Sequence, residues 1–241
     1  MLSTIHESVA VDVVILAGGL GTRLKSVLPD KPKVMADIKG KPFISLLFDQ
    51  LIQIGIQKVV VSTGYKEEVI RQYFGKYYKN IELIYSNESE PLGTGGALKL
   101  AQKNLDKTHM LVLNGDTLIS FNFKDFFSYH LSKSNEVTML LCWMEDTRRY
   151  GMVEVDRHGK VLSFSEKSGN VGKGLVNAGV YLVRRECFQS FSEKTNFSLE
   201  HDFFPSMIGR NLFGFKNEKP VFDIGTPESY RKFLAYQSLA T

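Results

Sequence analysis

A short apolar run that ends in a glycine-rich loop is the feature that most constrains the fold of this chain. Residues 11–15 read VDVVI, and residues 16–24 continue as LAGGLGTRL. Such a loop after a strand lets backbone N–H groups converge on a phosphate, because glycine has no Cβ that would hold the ligand away. Thr22 and Arg23 add a hydroxyl and a permanently charged guanidinium, and Lys33 adds a further cation. The loop therefore predicts a polyphosphate site at the end of a strand.

The spacing of the glycines disfavours two common nucleotide-binding loops. The G-x-x-x-x-G-K-[ST] pattern of a P-loop is missing, so a Walker-type ATPase is not expected. The third glycine of G-x-G-x-x-G is also missing, because Gly19 and Gly21 are followed by Thr-Arg-Leu. This disfavours a nicotinamide-dependent oxidoreductase. A purely structural turn would explain the glycines alone, but it would not need Arg23 or Lys33.

Composition and charge are those of a globular protein whose ligands are small. Of the 241 residues, 43% are hydrophobic and 23% are charged, and the formal net charge is +4. The sequence contains no Lys/Arg block of the kind that binds nucleic acid and no apolar stretch of membrane-spanning length. The N-terminus lacks the apolar core of a signal peptide, so we expect a cytoplasmic protein without nucleic-acid or membrane partners. Whether it forms a homo-oligomer is left open by the sequence.

The cysteines argue against a zinc site. Cys142 and Cys187 are far apart in the chain, and neither belongs to a CxxC or Cys/His cluster. We expect both to be buried thiols in a reducing compartment.

Strand signals alternate with helix signals through the first two thirds of the chain, which predicts βαβ units. Apolar runs predict strands at residues 11–17, 58–62, 81–85, 110–113 and 136–143. Apolar residues at helical spacing predict helices at residues 43–54, 66–74, 95–105 and 123–131. Later elements are a hairpin, two strands and two helices, at residues 151–156, 160–164, 177–183, 221–224, 199–208 and 227–237. The fold class is α/β, a Rossmann-like, mostly parallel mixed sheet with helices on both faces.

Polar clusters follow several of these strands, where ligands bind in open α/β sheets. The turn at residues 88–96 offers a glutamate, backbone N–H groups and a helix N-terminus. Asp116 follows a buried strand, where a carboxylate does little for stability but can bind a metal. Asp223 follows a short strand and, with Asp116, could hold one Mg²⁺ that also binds phosphate oxygens. A surface loop, a turn or a helix cap would use the same residue types.

Two further clusters, Glu166 with Lys167 and Asn177 with Gly179, lie in the second half of the chain. Carboxylates and amides bind hydroxyl groups in fixed directions, so these residues could contact a sugar, and Lys167 could neutralise a phosphate. A solvated Glu-Lys pair on a strand would look the same.

Taken together, these motifs resemble the sugar-1-phosphate nucleotidylyltransferases over nearly the whole chain. They stand in the order LAGGLGTRL at 16–24, PK at 32–33, GKP at 40–42, EPLGTGGAL at 90–98, NGD at 114–116, YG at 150–151, EK at 166–167, NAG at 177–179 and DIGTP at 223–227. Within the family, the chain is most similar to the D-glycero-D-manno-heptose 1-phosphate guanylyltransferases. Further shared motifs are GYK at 64–66, YFG at 73–75 and LNGDT at 113–117.

The resemblance implies the nucleotide-diphospho-sugar transferase type of this fold. It implies a single domain over residues 1–241, with a nucleotide-binding half at about 11–145 and a sugar-binding half at about 146–241. The implied catalytic residues are Arg23, Lys33, Asp116 and Asp223, and the two aspartates would also bind Mg²⁺. The implied nucleotide-binding residues are Leu16, Ala17, Gly18, Gly19, Gly21, Thr22, Glu88, Gly93, Thr94 and Gly95. The implied sugar-phosphate-binding residues are Tyr150, Gly151, Glu166, Lys167, Asn177 and Gly179.

The implied reaction transfers a nucleotidyl group from a nucleoside triphosphate, GTP by the subfamily resemblance, to a sugar 1-phosphate, with Mg²⁺ as cofactor. The attacking phosphate is already ionised near neutral pH, because the second pKa of a phosphate monoester is about 6. No general base is therefore needed. Alternatives are a mannose-1-phosphate guanylyltransferase and a glucose-1-phosphate uridylyl-, thymidylyl- or cytidylyltransferase. A non-catalytic regulatory homologue would be expected to lack the charged residues that this chain retains.

Overall fold

The structure is a computed structural model and describes residues 10–133, 135–166, 172–189, 191 and 195–239. The strands are β1 (Val11–Leu16), β2 (Asp37–Ile38), β3 (Lys41–Pro42), β4 (Lys58–Thr63), β5 (Tyr77–Tyr78), β6 (Ile81–Asn87), β7 (His109–Asn114), β8 (Thr117–Ile119), β9 (Val137–Met144), β10 (Met152–Val155), β11 (Val161–Ser165), β12 (Gly174–Arg184), β13 (Leu212–Asn217) and β14 (Val221–Asp223). The helices are α1 (Phe43–Gln53), α2 (Glu67–Phe74), α3 (Gly93–Ala101), α4 (Phe123–Ser132), α5 (Arg185–Gln189), α6 (Phe204–Met207) and α7 (Pro227–Leu239). Within these ranges, every helix is too short or too polar to cross a lipid bilayer.

The main sheet has ten strands among the described residues. Its centre is parallel, with β7 and β4 on either side of β1 and with β6 beyond β4. β12 runs antiparallel to β7 and connects this centre to β9 and to the β10–β11 hairpin. The carboxyl ends of β1, β4, β6 and β7 therefore meet at one edge of the sheet. Beside that edge, β8 and β14 form a small antiparallel ladder.

Side chains of β1 alternate between two hydrophobic cores, one on each face of the sheet. Val13 and Ile15 belong to the core that also contains apolar residues of α1, α2, α4 and α7. Val14 belongs to the core that contains apolar residues of α3, α5 and α6. Both faces of the sheet are thus covered by helices, and the predicted fold class is confirmed. Both cysteines are free thiols, and burial raises the pKa of Cys142 to about 11.

Most predicted elements are present, with ends that differ by a few residues. The helix predicted at residues 199–208 is different, because it is a π-helical turn, Leu199–Phe203, followed by α6. Pro205 explains the irregularity, since proline has no N–H to continue the α-helical hydrogen bonds. β13 had no prediction, because its run LFGFKN contains a glycine and two polar residues. It nevertheless pairs in parallel with β9.

A buried polar chain links α4 to the sheet far from the sheet edge described above. His130 is fully buried, and its Nε2 lies 3.1 Å from Nδ1 of His109. Its Nδ1 lies 2.8 Å from Oγ1 of Thr138, which accepts a hydrogen bond of 3.0 Å from Nδ2 of Asn135. Burial, and then the neighbouring His109, lower the pKa of His130 to about 3.

This histidine makes the free energy of unfolding depend on pH. The unfolded chain takes up a proton near pH 6.5, whereas folded His130 stays neutral down to about pH 3. Its contribution to stability is therefore complete above pH 6.5 and is lost as the pH falls from there toward 3. We expect urea unfolding of the wild type to lose up to about 1.4 kcal/mol per pH unit across this range from this group.

The comparison that isolates this effect uses two histidine variants. His130→Asn should make the dependence of unfolding free energy on pH shallower between pH 6 and pH 4, whatever its stability at neutral pH. His158→Gln, at an exposed turn, should leave the slope as in the wild type. Equal slopes of unfolding free energy against pH for the wild type and His130→Asn would contradict the assignment of this pH dependence to His130.

Candidate active site

A cleft of about 700 Å³ lies at the sheet edge where the four parallel strands end. Eleven of the residues predicted for the site line it, namely Leu16, Ala17, Gly18, Gly19, Arg23, Lys33, Glu88, Gly93, Thr94, Asp116 and Glu166. Eight others are described but are not part of the lining, namely Gly21, Thr22, Gly95, Tyr150, Gly151, Asn177, Gly179 and Asp223. Lys167 lies outside the described residues, and its contact with a phosphate stays a prediction.

The loop after β1 turns sharply and brings two cation-bearing segments together. Gly21 has φ +59°, the left-handed conformation that glycine adopts without strain. A Cβ on Gly21 would lie 3.2 Å from Cβ of Lys33, so this turn packs directly against the segment that carries Lys33. Arg23 follows in a 3₁₀ turn, Thr22–Leu24, and lines the cleft with Lys33. The two cations predicted for a polyphosphate therefore share one cleft.

The two predicted metal ligands, Asp116 and Asp223, are neighbours. The β8–β14 ladder pairs Thr117 with Asp223, and the backbone N–H of Ile224 donates a hydrogen bond of 3.0 Å to the carbonyl of Asp116. A Cβ on Gly225 would lie 3.0 Å from Oδ1 of Asp223 and 3.8 Å from Oδ2 of Asp116. Both carboxylates thus border the same small space, although Asp223 is not part of the cleft lining.

Each of these carboxylates is paired with a cation. Lys33 Nζ forms an ion pair with Oδ2 of Asp116. Arg149 Nη2 lies 2.5 Å from Oδ1 of Asp223, and the Tyr150 hydroxyl donates a hydrogen bond of 3.0 Å to Oδ2 of the same carboxylate. Burial, and then the Asp223 charge, raise the pKa of Tyr150, so its hydroxyl remains a donor. The hydroxyl of Tyr150 thus contacts the predicted metal ligand Asp223, and its place in the sugar-phosphate pocket stays a prediction.

The donor set fits a metal that takes few protein ligands. The described residues contain no group of three or more His, Cys, Asp or Glu side chains that could hold a metal ion. Mg²⁺ commonly takes one or two carboxylates and completes its octahedron with water and phosphate oxygens. Asp116 and Asp223, beside a cleft with two cations, match that requirement.

Glu88 lines the cleft beside the glycine-rich loop. A Cβ on Gly18 would collide with its Oε1, so the carboxylate rests directly on the backbone of that loop. Its Oε2 accepts a hydrogen bond of 3.0 Å from the backbone N–H of Leu92. Burial raises the pKa of Glu88 above its ordinary value.

The glycine-rich turn that begins α3 packs against residues 196–200. The carbonyl of Phe197 accepts hydrogen bonds from the N–H groups of Gly95 and Gly96, at 2.9 and 3.2 Å. A Cβ on Gly93 would lie 2.6 Å from that carbonyl oxygen, and a Cβ on Gly95 would collide with the Phe197 ring. Close approach to Phe197 therefore explains these glycines, and the role predicted for Gly95 in nucleotide binding stays a prediction.

The sugar-side residues surround a buried tyrosine hydroxyl. Asn177 Nδ2 donates a hydrogen bond of 2.8 Å to Oη of Tyr181, and Asn177 Oδ1 accepts one of 3.0 Å from the N–H of Gly179. A Cβ on Gly151 would lie 2.7 Å from Oε2 of Glu166, which lines the cleft. Glu166 therefore faces the cleft, whereas the Asn177 amide is used to orient the residues beneath it.

Sequence reasoning missed several residues that the fold brings to the site. Arg149 pairs with Asp223 across 74 sequence positions. Several residues that line the cleft had no predicted role in the site, among them Leu20, Tyr65, Asn114, Ser198, Glu200 and His201. Glu200 and His201 belong to the segment predicted as an amphipathic helix, and Ser198 directly precedes it. No local pattern marks the contact of this segment with α3. For Asn114, adjacency to Asp116 was an available signal.

Comparison with known proteins identifies the family. The sequence model of the nucleotidyl transferase family matches residues 12–237. This chain belongs to that family. The nucleotidyl transferase is 40% identical over 222 residues to a D-glycero-alpha-D-manno-heptose 1-phosphate guanylyltransferase of Aneurinibacillus thermoaerophilus, covering 92% of this chain and 96% of the relative. A Campylobacter jejuni protein of the same name is 41% identical over 230 residues, covering 92% and 97%.

A solved structure extends this similarity to three dimensions. HddC from Yersinia pseudotuberculosis matches with a TM-score of 0.85 at 37% identity, covering 94% of this chain and 99% of that one. The structure of HddC complexed with GMP-PN matches equally well. The predicted family resemblance and fold type are therefore confirmed for this nucleotidyl transferase.

Proposed function

We propose that this enzyme transfers GMP from GTP to a sugar 1-phosphate, with a manno-heptose 1-phosphate as the substrate to test first. Support comes from the relatives of that name and from the cleft that combines Arg23, Lys33 and Asp116. The single observation that carries the chemistry is the Lys33–Asp116 ion pair beside Asp223 at the end of the phosphate loop. In this proposal the nucleotide lies over residues 11–145 and the sugar over residues 146–241.

The reaction brings together two polyanions that repel each other, and cationic residues of the cleft reduce this repulsion. An oxygen of the sugar 1-phosphate attacks the α-phosphorus, a new P–O bond forms, and the bond to the β-phosphate breaks so that pyrophosphate leaves. The attacking oxygen is already ionised near neutral pH, so no side chain has to remove a proton. Arg23 and Lys33 offset the repulsion between the substrates and the charge that develops as pyrophosphate departs.

Asp116 and Asp223 would hold a divalent cation, which we propose to be Mg²⁺ and which when bound supplies positive charge to the phosphate oxygens. Arg149 and Tyr150 would fix the orientation of the Asp223 carboxylate, because they donate to different oxygens of it. Lys33 would orient Asp116 in the same way. These contacts support a preorganised site in which little reorganisation is needed when substrates bind.

Glu88 supports guanine as the base. Guanine presents two adjacent donors, N1–H and the 2-amino group, and an ionised carboxylate is a pure acceptor. Because Oε2 of Glu88 is anchored by the N–H of Leu92, the carboxylate is held in one orientation at the cleft. Uracil and thymine offer a single N–H, and adenine offers an acceptor at N1, so none of them matches this group as well.

The alternatives differ in their substrates, not in the residues that do the chemistry. A mannose-1-phosphate guanylyltransferase would keep the preference for GTP and change the sugar, whereas a glucose-1-phosphate uridylyl-, thymidylyl- or cytidylyltransferase would change the base. A non-catalytic homologue is disfavoured because Arg23, Lys33 and both aspartates are retained and lie together.

A substrate panel tests the proposal. The purified enzyme with Mg²⁺ is given GTP, ATP, UTP, CTP or dTTP, each with the 1-phosphate of manno-heptose, mannose, glucose or N-acetylglucosamine, and pyrophosphate release is followed. We expect the highest kcat/KM for GTP with manno-heptose 1-phosphate, and no release when Mg²⁺ is removed by a chelator. Release from no pair of substrates would refute nucleotidyl transfer, and a preference for another triphosphate would refute the guanine assignment.

A further inference from the structure

Glu200 lines the cleft, although no local sequence pattern predicted it there. Its Oε2 accepts two hydrogen bonds, one of 2.7 Å from Oγ1 of Thr94 and one of 2.9 Å from Oγ of Ser198. Both donors are neutral hydroxyls, and among the residues that the structure describes no cation pairs with this carboxylate. The same residues leave Oε1 without a hydrogen-bond donor. Glu200 is therefore a partly buried carboxylate with one oxygen held in place and the other available to a ligand.

The position of Glu200 follows from how residues 196–200 dock on α3. Thr94 Oγ1 accepts a hydrogen bond of 2.8 Å from the N–H of Leu199 and donates its own proton to Glu200. The Phe197 carbonyl fixes the same segment through the N–H groups at the start of α3. The π-helical turn begins here, and such turns are frequent at functional sites. The segment is thus attached firmly enough to hold a side chain in one direction.

The chemistry of the cleft restricts what Glu200 can contact. The described residues give Glu200 no cation partner, and its charge is repelled by the triphosphate and by the sugar phosphate group, so an uncharged donor suits it best. Phe204, in the helical turn that follows Glu200, packs its ring against Phe164, two residues before Glu166. The same ring packs against Tyr181, whose hydroxyl accepts a hydrogen bond from Asn177. The segments that carry Glu200 and Glu166 are therefore in contact, and both side chains line the cleft. The uncharged donors of a sugar 1-phosphate are its hydroxyl groups.

We infer that Glu200 binds a hydroxyl group of the sugar and so helps to determine which sugar 1-phosphate is accepted, with Thr94 as the positioning residue that orients it. This inference rests on the proposed function and adds a residue to its sugar subsite. Thr94 would affect the binding of both substrates. It lies in the turn predicted to bind the nucleotide, and it orients the Glu200 carboxylate that contacts the sugar.

The test compares Glu200→Gln with the wild type, using mannose 1-phosphate, manno-heptose 1-phosphate and analogues of the accepted sugar that each lack one hydroxyl. In the wild type, loss of the recognised hydroxyl should lower kcat/KM about tenfold, the scale of a hydrogen bond to a charged group. Glu200→Gln should lower kcat/KM for the complete sugar by a similar factor and abolish the penalty for that one analogue. KM for GTP should stay at the wild-type value.

Three controls separate this role from a structural one. Thr94→Val should raise KM for the sugar, and Thr94→Ser should restore it, because serine keeps the donor. Glu218→Gln, an exposed carboxylate outside the cleft, should change nothing. With 2′-deoxy-GTP, the wild type and Glu200→Gln should show the same ratio of rates as with GTP. A ratio that changes would assign Glu200 to the ribose and overturn the inference.

The outcomes also separate this inference from the proposed function. If Glu200→Gln lowers the rates with all sugars equally, or not at all, while the wild type transfers GMP, only the role of Glu200 is refuted. If the wild type transfers nothing to any sugar 1-phosphate, the proposed function fails and the inference fails with it. Glu200→Asp provides a second test, because its shorter side chain keeps the charge but moves it away from the sugar. It should lose as much selectivity among the sugar 1-phosphates as Glu200→Gln.

Discussion

Asp116→Asn should lower kcat by at least about a hundredfold, the scale of losing one important electrostatic group. Asparagine has the same shape, but it removes the charge that pairs with Lys33 and, in our proposal, binds the cation. The remaining Lys33 would then face the substrates without its partner. The measurement is pyrophosphate release at saturating substrates, with the melting temperature recorded for each variant to show that it is folded.

Matched substitutions make this result specific. Asp106→Asn removes a carboxylate whose side chain is 87% exposed and that pairs with Lys58, and it should leave kcat unchanged. Lys33→Ala should cost about as much as Asp116→Asn, whereas Lys31→Ala, at an exposed neighbouring position, should not. Since the ion pair acts as one unit, the Lys33→Ala, Asp116→Asn double variant should lose little more than the worse single variant. Near-normal turnover in Asp116→Asn or in Lys33→Ala would refute the catalytic assignment.

Glu88→Gln should lower kcat/KM for GTP by about 30- to 100-fold, because it replaces an acceptor that faces two guanine donors with a group that is itself a donor. ITP, which lacks the 2-amino group, should be affected less, so the preference for GTP over ITP should shrink. The effect should fall mainly on KM, since the base is remote from the reacting phosphorus. The measurement is kcat/KM for both triphosphates at a fixed sugar 1-phosphate concentration.

The pH dependence of KM for GTP tests the role of Glu88 in guanine recognition independently. The carboxylate accepts hydrogen bonds when it is ionised, and burial raises the pKa of Glu88. As the pH is lowered, KM for GTP should therefore rise at a higher pH than an ordinary glutamate would cause, and Glu88→Gln should lack this rise. Glu68→Gln, on the exposed side of α2, serves as the control and should behave as the wild type. An unchanged preference for GTP in Glu88→Gln would place guanine recognition elsewhere.

The sequence was informative where the site depends on residues next to a strand end. The phosphate loop follows β1 directly, so its position was predictable once β1 was recognised, and Asp116 follows β7 in the same way. The neighbourhood of Asp116 and Asp223 was predicted because both follow strands, and the β8–β14 ladder agrees with it. The alternation of strands and helices predicted a sheet covered by helices on both faces. Continuous apolar runs indicate such a sheet, because its strands are buried on both sides.

The parts that could not be predicted depend on contacts between distant segments. Arg149 has no local feature that marks it as the partner of Asp223, and Glu200 meets Thr94 across 106 positions. The glycines at the start of α3 were assigned to the nucleotide because the turn offers backbone N–H groups and a helix N-terminus, and because the family resemblance implies it. Their immediate neighbour is Phe197, a contact that no pattern within the turn could indicate.

The close contact between the start of α3 and the backbone at Phe197 bears on attempts to exchange substrate preference among related enzymes. Grafting in a base-recognition loop that lacks glycine at positions 93 and 95 would introduce side chains where Phe197 leaves no room for a Cβ. A chimera that keeps the recipient's residues 196–200 would then clash with the donor loop. Such a transplant would have to carry both stretches together, so the choices of base and of sugar would be inherited as a pair.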